Sequence, residues 1–221
     1  MNKNPSKREI LRIKRLQQKR RKTKNVILIT LAVLALIAII ILLPNFISGR
    51  TSSEDGRGFT LGDPNAPVSV INFSNYACGF CADFSANVEP DLISSYVETG
   101  DVYYRYINLP HRDPDSLNAA KASYCAADQN LFFDYKSFLY SAAGTQAGFS
   151  TTNLVNIAAA AGLDSTEFRA CLEDNTHDNA PNEDLRYAQS LGITGTPTFL
   201  INGQLVSSRE VISLIDSLLN R

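Results

Sequence analysis

Eighteen consecutive residues, Val26 to Leu43 (VILITLAVLALIAIIILL), carry no charge and one polar side chain, Thr30. Such a run limits what the polypeptide can fold into. As a helix rising 1.5 Å per residue it spans about 27 Å, close to the hydrocarbon thickness of a bilayer. Apolar residues cover every face, so the helix has no polar side to turn toward water. The expectation is one transmembrane helix over 26–43, retained as a signal-anchor. The run exceeds the usual apolar core of a secretory leader, and Pro44, Asn45, Phe46, Ile47 and Ser48 after it form no small-residue cleavage pattern. A cleaved leader is the alternative.

Charge orients the span. Of the 21 Lys and Arg residues, 11 fall within residues 1–24, where Glu9 is the only acid. Lys19, Arg20, Arg21, Lys22 and Lys24 directly precede the apolar run. The positive-inside rule then keeps a basic tail (1–25) in the cytoplasm and sends residues 44–221 outside. Beside a span, such a tail reads as a topology signal that touches anionic lipid, not as an arm for nucleic acid. The expected localisation is the cell membrane, single-pass, with the folded part extracytoplasmic. Residues 44–58, which include the polar GRTSSEDGRG, read as a linker. Residues 59–221 remain for one domain with a sizeable core.

Inside that domain, Val68 to Phe73 (VSVINF) reads as a short buried strand. A helix follows, with Phe84, Val88, Leu92 and Tyr96 recurring along one face; Pro90 should kink it and Gly100 end it. Val102 to Asn108 (VYYRYIN) reads as a second strand. Residues 114–190 look helical almost throughout, over 115–127, 130–143, 151–161, 165–175 and 182–191, with caps at Ser150 or Thr151 and at Asp164 or Ser165. Strand character returns at Thr198 to Ile201 and at Leu205 and Val206, with Asn202-Gly203 as the turn, and a last helix fits 208–220. The order implies a small α/β sheet with an all-helical insertion.

The chain has four cysteines, Cys78, Cys81, Cys125 and Cys171. Cys78-Gly79-Phe80-Cys81 stands where a strand gives way to a helix. There Cys78 meets the unpaired N–H groups and positive end of the helix dipole, which favour a thiolate. Cys81, one turn on, is placed to resolve a mixed disulfide. Half a zinc site is the competing reading of Cys-x-x-Cys. It needs two further ligands at metal-like spacing, and neither His111 nor His177 supplies an obvious partner. No metal and no cofactor is assigned. His111, after Leu109-Pro110, reads as a loop histidine.

The segments INFSNYACGFC, YVETG and GITGTPTFLING, in this order and separated by a helical block, resemble the DsbA-like branch of the thioredoxin superfamily, which includes membrane-tethered members. The resemblance runs from about Gly62 to the C-terminus. It implies a thioredoxin-like fold and a thiol–disulfide oxidoreductase with Cys78 and Cys81 as catalytic residues. It also implies a cis-proline loop, here Thr196 and Pro197, whose backbone holds an extended substrate. Phe80, between the active cysteines, would contact unfolded substrates. Expected partners are unfolded or reduced exported proteins and a membrane quinone-linked redox partner. Some relatives carry a second, structural disulfide in the insertion, which here would be Cys125–Cys171; two buried free thiols are the alternative.

Departures matter as well. Many relatives have a buried acid where this chain has Asn72, and close relatives often have Asp where it has Asn75. Gly79-Phe80 replaces the Pro-His of the strongest oxidants, so no imidazole donates to the thiolate. A milder oxidant is expected, with an extracytoplasmic reductase or isomerase, or a tethered chaperone, as alternatives.

Overall fold

The computed structural model describes residues 57–110, 113–146 and 148–221. The basic tail, the expected span at 26–43, the linker up to residue 56 and His111 lie outside the described residues. Among the described residues, no helix is long and apolar enough to cross a membrane.

Both expected strands form, as β2 (Val68–Ser74) and β3 (Val102–Asn108). They run parallel, with Val68 beside Val102 and Ser74 beside Asn108. Parallel neighbours need a crossover. It consists of α1 (Gly79–Asn87), α2 (Glu89–Leu92) and a π-helical turn (Ile93–Val97). A single helix kinked at Pro90 is expected from sequence; in the structure the chain leaves the helical path at Val88, with φ −123°. Pro90 falls in the first turn of α2. Its missing N–H is harmless there, because first-turn amides have no intrahelical acceptor.

The hairpin of β4 (Thr198–Ile201) and β5 (Gln204–Val206) turns at Asn202 and Gly203, both at positive φ. That conformation matches the twist of the flanking strands and suits Asn-Gly. Strand β4 pairs antiparallel with β2. One strand is not legible in the sequence: β1 (Phe59–Leu61), antiparallel to β3. Three residues are too few for a periodicity, and the signal lies in its flanks. A Cβ on Gly58 would stand 2.3 Å from the Tyr106 carbonyl oxygen, and one on Gly62 would stand 2.6 Å from that of Val102. Glycine is what lets the edge strand approach this closely. The sheet order is β1-β3-β2-β4-β5.

Between β3 and β4 stand α3 (Pro114–Asp128), α4 (Phe132–Ala142), α5 (Thr151–Ala160), α6 (Ser165–Glu173) and α7 (Ala180–Ser190). Asp113 caps α3 by accepting from the Ser116 amide, and Asp164 caps α6 by accepting from Thr166 and Glu167. The final helix α8 (Val211–Leu218) is shorter than expected. Ser207 donates from its amide and hydroxyl to Glu210, which closes a turn ahead of the helix.

Alternation along the strands divides the core between two faces. Val68, Val70, Tyr104, Tyr106, Phe199 and Ile201 join the larger cluster with residues of α1 and α3 to α6. Phe73 and Ile107 join a smaller one with Ala188 of α7.

Candidate active site

Strand β2 ends at Ser74, and a tight turn carries the chain into α1. The Cys78 amide donates to the Asn75 carbonyl, and the Ala77 amide donates to Asn75 Oδ1. Cys78 becomes the N-cap of α1, extended at φ −93°, ψ 118°. Its carbonyl accepts the first helical hydrogen bond, from Ala82. The pairing of β4 with β2 sets Thr198 beside Phe73. The segment just before β4, Thr196 and Pro197, therefore faces the turn just after β2. The Thr196–Pro197 bond is cis, and the Cys78 thiol lies 3.5 Å from the Thr196 carbonyl oxygen, to which it donates.

The two active-site thiols are chemically unequal. Cys78 is half-buried and Cys81 is buried, and both are free. Burial alone would raise the Cys78 thiol, but hydrogen bonds outweigh it. Those bonds come from the Cys81 thiol, the Cys81 amide, the Thr196 side chain and the Phe80 amide, and together they hold Cys78 below the ordinary thiol range. For Cys81 burial acts in the same direction as its hydrogen bond to Cys78, and its pKa is pushed up to about 12. Cys78 is thus the more readily ionised sulfur and Cys81 the one that holds its proton more firmly. Phe80 between them is 79% exposed, the most exposed of the large apolar side chains among the described residues.

Sequence reasoning missed a buried charged network that begins at Asn72 of β2. Asn72 is buried and joins it as a hydrogen-bonding residue. Its Nδ2 donates to the Tyr104 hydroxyl at 2.8 Å, while Ser74 Oγ donates to its Oδ1 at 2.6 Å. Tyr104 donates onward to Glu89 Oε1 at 2.6 Å. Glu89 Oε2 accepts from Ser85 Oγ and from Lys136 Nζ. Glu89 and Lys136 are only 2% and 3% exposed, so α2 and α4 meet through a buried ion pair. In sequence Glu89 looks like a solvated helix charge. Lys136 had a usable signal, as the lone cation among Phe132, Phe133, Tyr135, Phe138 and Tyr140. Its ammonium lies 5.4 Å from the Tyr106 ring centre and 5.7 Å from that of Tyr140.

The other cysteine pair lies in the insertion. Cys125 of α3 and Cys171 of α6 are disulfide-bonded, with Cα atoms 5.8 Å apart. The fold also brings Cys171 beside His177 and Asp128, a grouping hidden by their separation in sequence.

The family described as Thioredoxin matches residues 54–220. The chain belongs to the thioredoxin family. Within it the likeness is to the DsbA type. The chain is 27% identical over 154 residues to a probable disulfide bond formation protein D of Bacillus anthracis, covering 67% of this chain and 71% of that one. It is also 29% identical over 150 residues to a Na(+)/H(+) antiporter NhaA 3 of Salinispora tropica, but there the match spans 67% of this chain and only 22% of the relative. Among solved structures, BdbD of Bacillus subtilis in its oxidised form superposes with a TM-score of 0.68 at 23% identity, covering 78% of this chain and 98% of that one. Alpha-DsbA1 of Wolbachia pipientis gives 0.63 at 27% identity, with 73% and 90% covered. The thioredoxin-like fold with a helical insertion is thus shared with proteins of disulfide formation.

Proposed function

We propose that this thiol–disulfide oxidoreductase works as an oxidase that introduces disulfides into exported proteins. The carrying observation is the inequality of Cys78 and Cys81 in front of Thr196 and Pro197. In the oxidised enzyme a substrate thiolate attacks the Cys78 sulfur. The Cys78–Cys81 bond breaks, and Cys81 leaves and takes up a proton, as its high pKa demands. A second substrate thiolate then attacks the substrate sulfur of the mixed disulfide. Cys78 departs as a thiolate, which its lowered pKa favours in a leaving group. The substrate loses two electrons and gains a disulfide, and the enzyme is left reduced. The backbone at Thr196 and Pro197 pairs with an extended substrate segment, and Phe80 contacts apolar side chains of an unfolded one.

The reading extends to place and partners. The apolar run 26–43 and the basic residues before it support a single-pass anchor with the catalytic domain outside the cytoplasm. A quinone-linked membrane partner would restore the Cys78–Cys81 disulfide. Protease added outside intact cells would then remove residues 44–221 and spare the tail; a protected domain refutes this topology.

Gly79-Phe80 favours a second reading, an isomerase or reductase, because neither intervening side chain can donate a hydrogen bond to the thiolate. Redox equilibrium against glutathione, together with turnover on a reduced, unfolded protein, separates the two. The oxidase reading requires net disulfide formation with Cys78–Cys81 more oxidising than glutathione. A pair that stays oxidised in excess reduced glutathione and forms no substrate disulfides overturns it.

A further inference from the structure

The Cys125–Cys171 bridge has two more metal-ligand side chains, Asp128 and His177, beside Cys171. Cys125 and Asp128 lie three residues apart on one face of α3. Cys171 is on α6, which ends at Glu173. The chain then turns through Asn175 at φ +54° and returns His177 toward α3. There His177 Nε2 lies 2.7 Å from Asp128 Oδ2, and that oxygen is 3.8 Å from Cys171 Sγ. The ligand atoms of Asp128, Cys171 and His177 all lie within 4.8 Å of one another, and Cys125 Sγ is bonded to Cys171 Sγ. Lys121, the nearby cation, is paired with Asp178.

Tetrahedral zinc, with sulfur at ~2.3 Å and nitrogen at ~2.0 Å, sets its ligand atoms roughly 3.3–3.8 Å apart. Two thiolates, an imidazole and a carboxylate are a donor set that suits it. We propose that the reduced form of the Cys125–Cys171 pair is a zinc site, with Cys125, Asp128, Cys171 and His177 as ligands. An external dithiol reduces the bridge: two electrons and two protons enter, giving two thiols, and the dithiol becomes a disulfide. Zinc then displaces both thiol protons to solvent, and the sulfurs separate from bonding distance to the edge of a tetrahedron. Asp128 is exposed and His177 half-buried, which leaves the metal a path in. The fold thus has two ways to tie α3 to α6, a disulfide when oxidised and a metal when reduced. The site is independent of Cys78 and Cys81.

The test uses the full-length chain carrying Cys78→Ser and Cys81→Ser, reduced with a phosphine and titrated with Co2+, then with Zn2+ in competition. The expected result is one Co2+ per chain, with thiolate-to-cobalt absorption and the visible bands of tetrahedral coordination, displaced by one Zn2+. The oxidised chain should show none of this. His177→Ala and Asp128→Ala should each weaken zinc by at least about 10–100-fold, the loss that follows removal of even an outer-shell partner of a metal ligand. A reduced chain that keeps its far-ultraviolet circular dichroism yet binds no Co2+ overturns the proposal, as do His177 and Asp128 variants that bind like the parent. If reduction unfolds the chain, Zn2+ should restore a cooperative melting transition, and its failure to do so also overturns the proposal.

Discussion

The Cys78 sulfur and the Thr196 carbonyl oxygen lie 3.5 Å apart across 118 residues of chain. That approach follows from the antiparallel register of β4 on β2, which sets the segment preceding β4 against the start of α1. It places the Cys78 sulfur against the loop that carries the cis Thr196–Pro197 bond.

The assignment of Cys78 as nucleophile has a direct test. Cys81→Ala should accumulate mixed disulfides with substrate through Cys78, because the resolving thiol is gone. Cys78→Ala should trap few and lose turnover. Alkylation of the reduced protein across pH should label Cys78 at lower pH than Cys81, whose pKa is pushed up to about 12. Earlier labelling of Cys81 would reverse the assignment.

Thr196→Val removes a side-chain donor to the Cys78 sulfur. A hydrogen bond of this kind is worth roughly 1–1.5 kcal/mol, so alkylation of Cys78 near pH 7 should slow by ~5–10-fold. The sign follows from which form is stabilised. Losing the donor raises the Cys78 pKa, so the reduced protein loses stability toward neutral pH, and the variant becomes a weaker oxidant. An unchanged pH profile would show that the amides of α1 suffice.

Lys136→Met leaves the Glu89 carboxylate buried without its cation. Breaking a buried pair from one side costs about 3–5 kcal/mol. Urea unfolding should show a loss of that order, and the double variant Glu89→Gln/Lys136→Met should recover much of it. Equal losses in single and double variants would mean that packing, not charge, dominates at this position.

Asp184 of α7 is fully buried, and burial is the largest cause of a pKa raised to about 7. Its Oδ2 accepts from the Tyr124 hydroxyl, which in turn accepts from the Gly58 amide. A carboxyl raised in the folded state contributes stability below its unfolded pKa of about 3.9. That contribution is lost as pH climbs through about 7. The full difference is roughly 4 kcal/mol. Asp184→Asn should flatten the melting temperature across this window and raise it at pH 8. A variant less stable than the parent at pH 8 would refute the assignment.

The part of the fold written in local pattern was legible in the residues themselves. Two branched, aromatic-rich runs became β2 and β3, Asn202-Gly203 became the hairpin turn, and Asp164 became a cap, because each depends on neighbours a few positions away. Cys78, Cys81, Thr196 and Pro197 stand out because their residue types recur in a family pattern, while the approach of Cys78 to the Thr196 carbonyl is decided by the pairing of β4 with β2. The three-residue strand β1 was not, since its evidence is the room that Gly58 and Gly62 leave for a strand about 45 residues onward. Nor was the Glu89–Lys136 pair. A charge on a helix looks the same in sequence whether it faces water or a partner on another helix, and only the packing of α2 against α4 chose the second. Asn72 shows the same division. Its identity announced the loss of a buried acid, but its hydrogen bond to Tyr104 exists because β2 and β3 lie in register. Hydrophobic period and turn chemistry act over a few residues. The meeting of buried polar groups is settled by which surfaces exclude water together, and that is a property of the assembled sheet and helices.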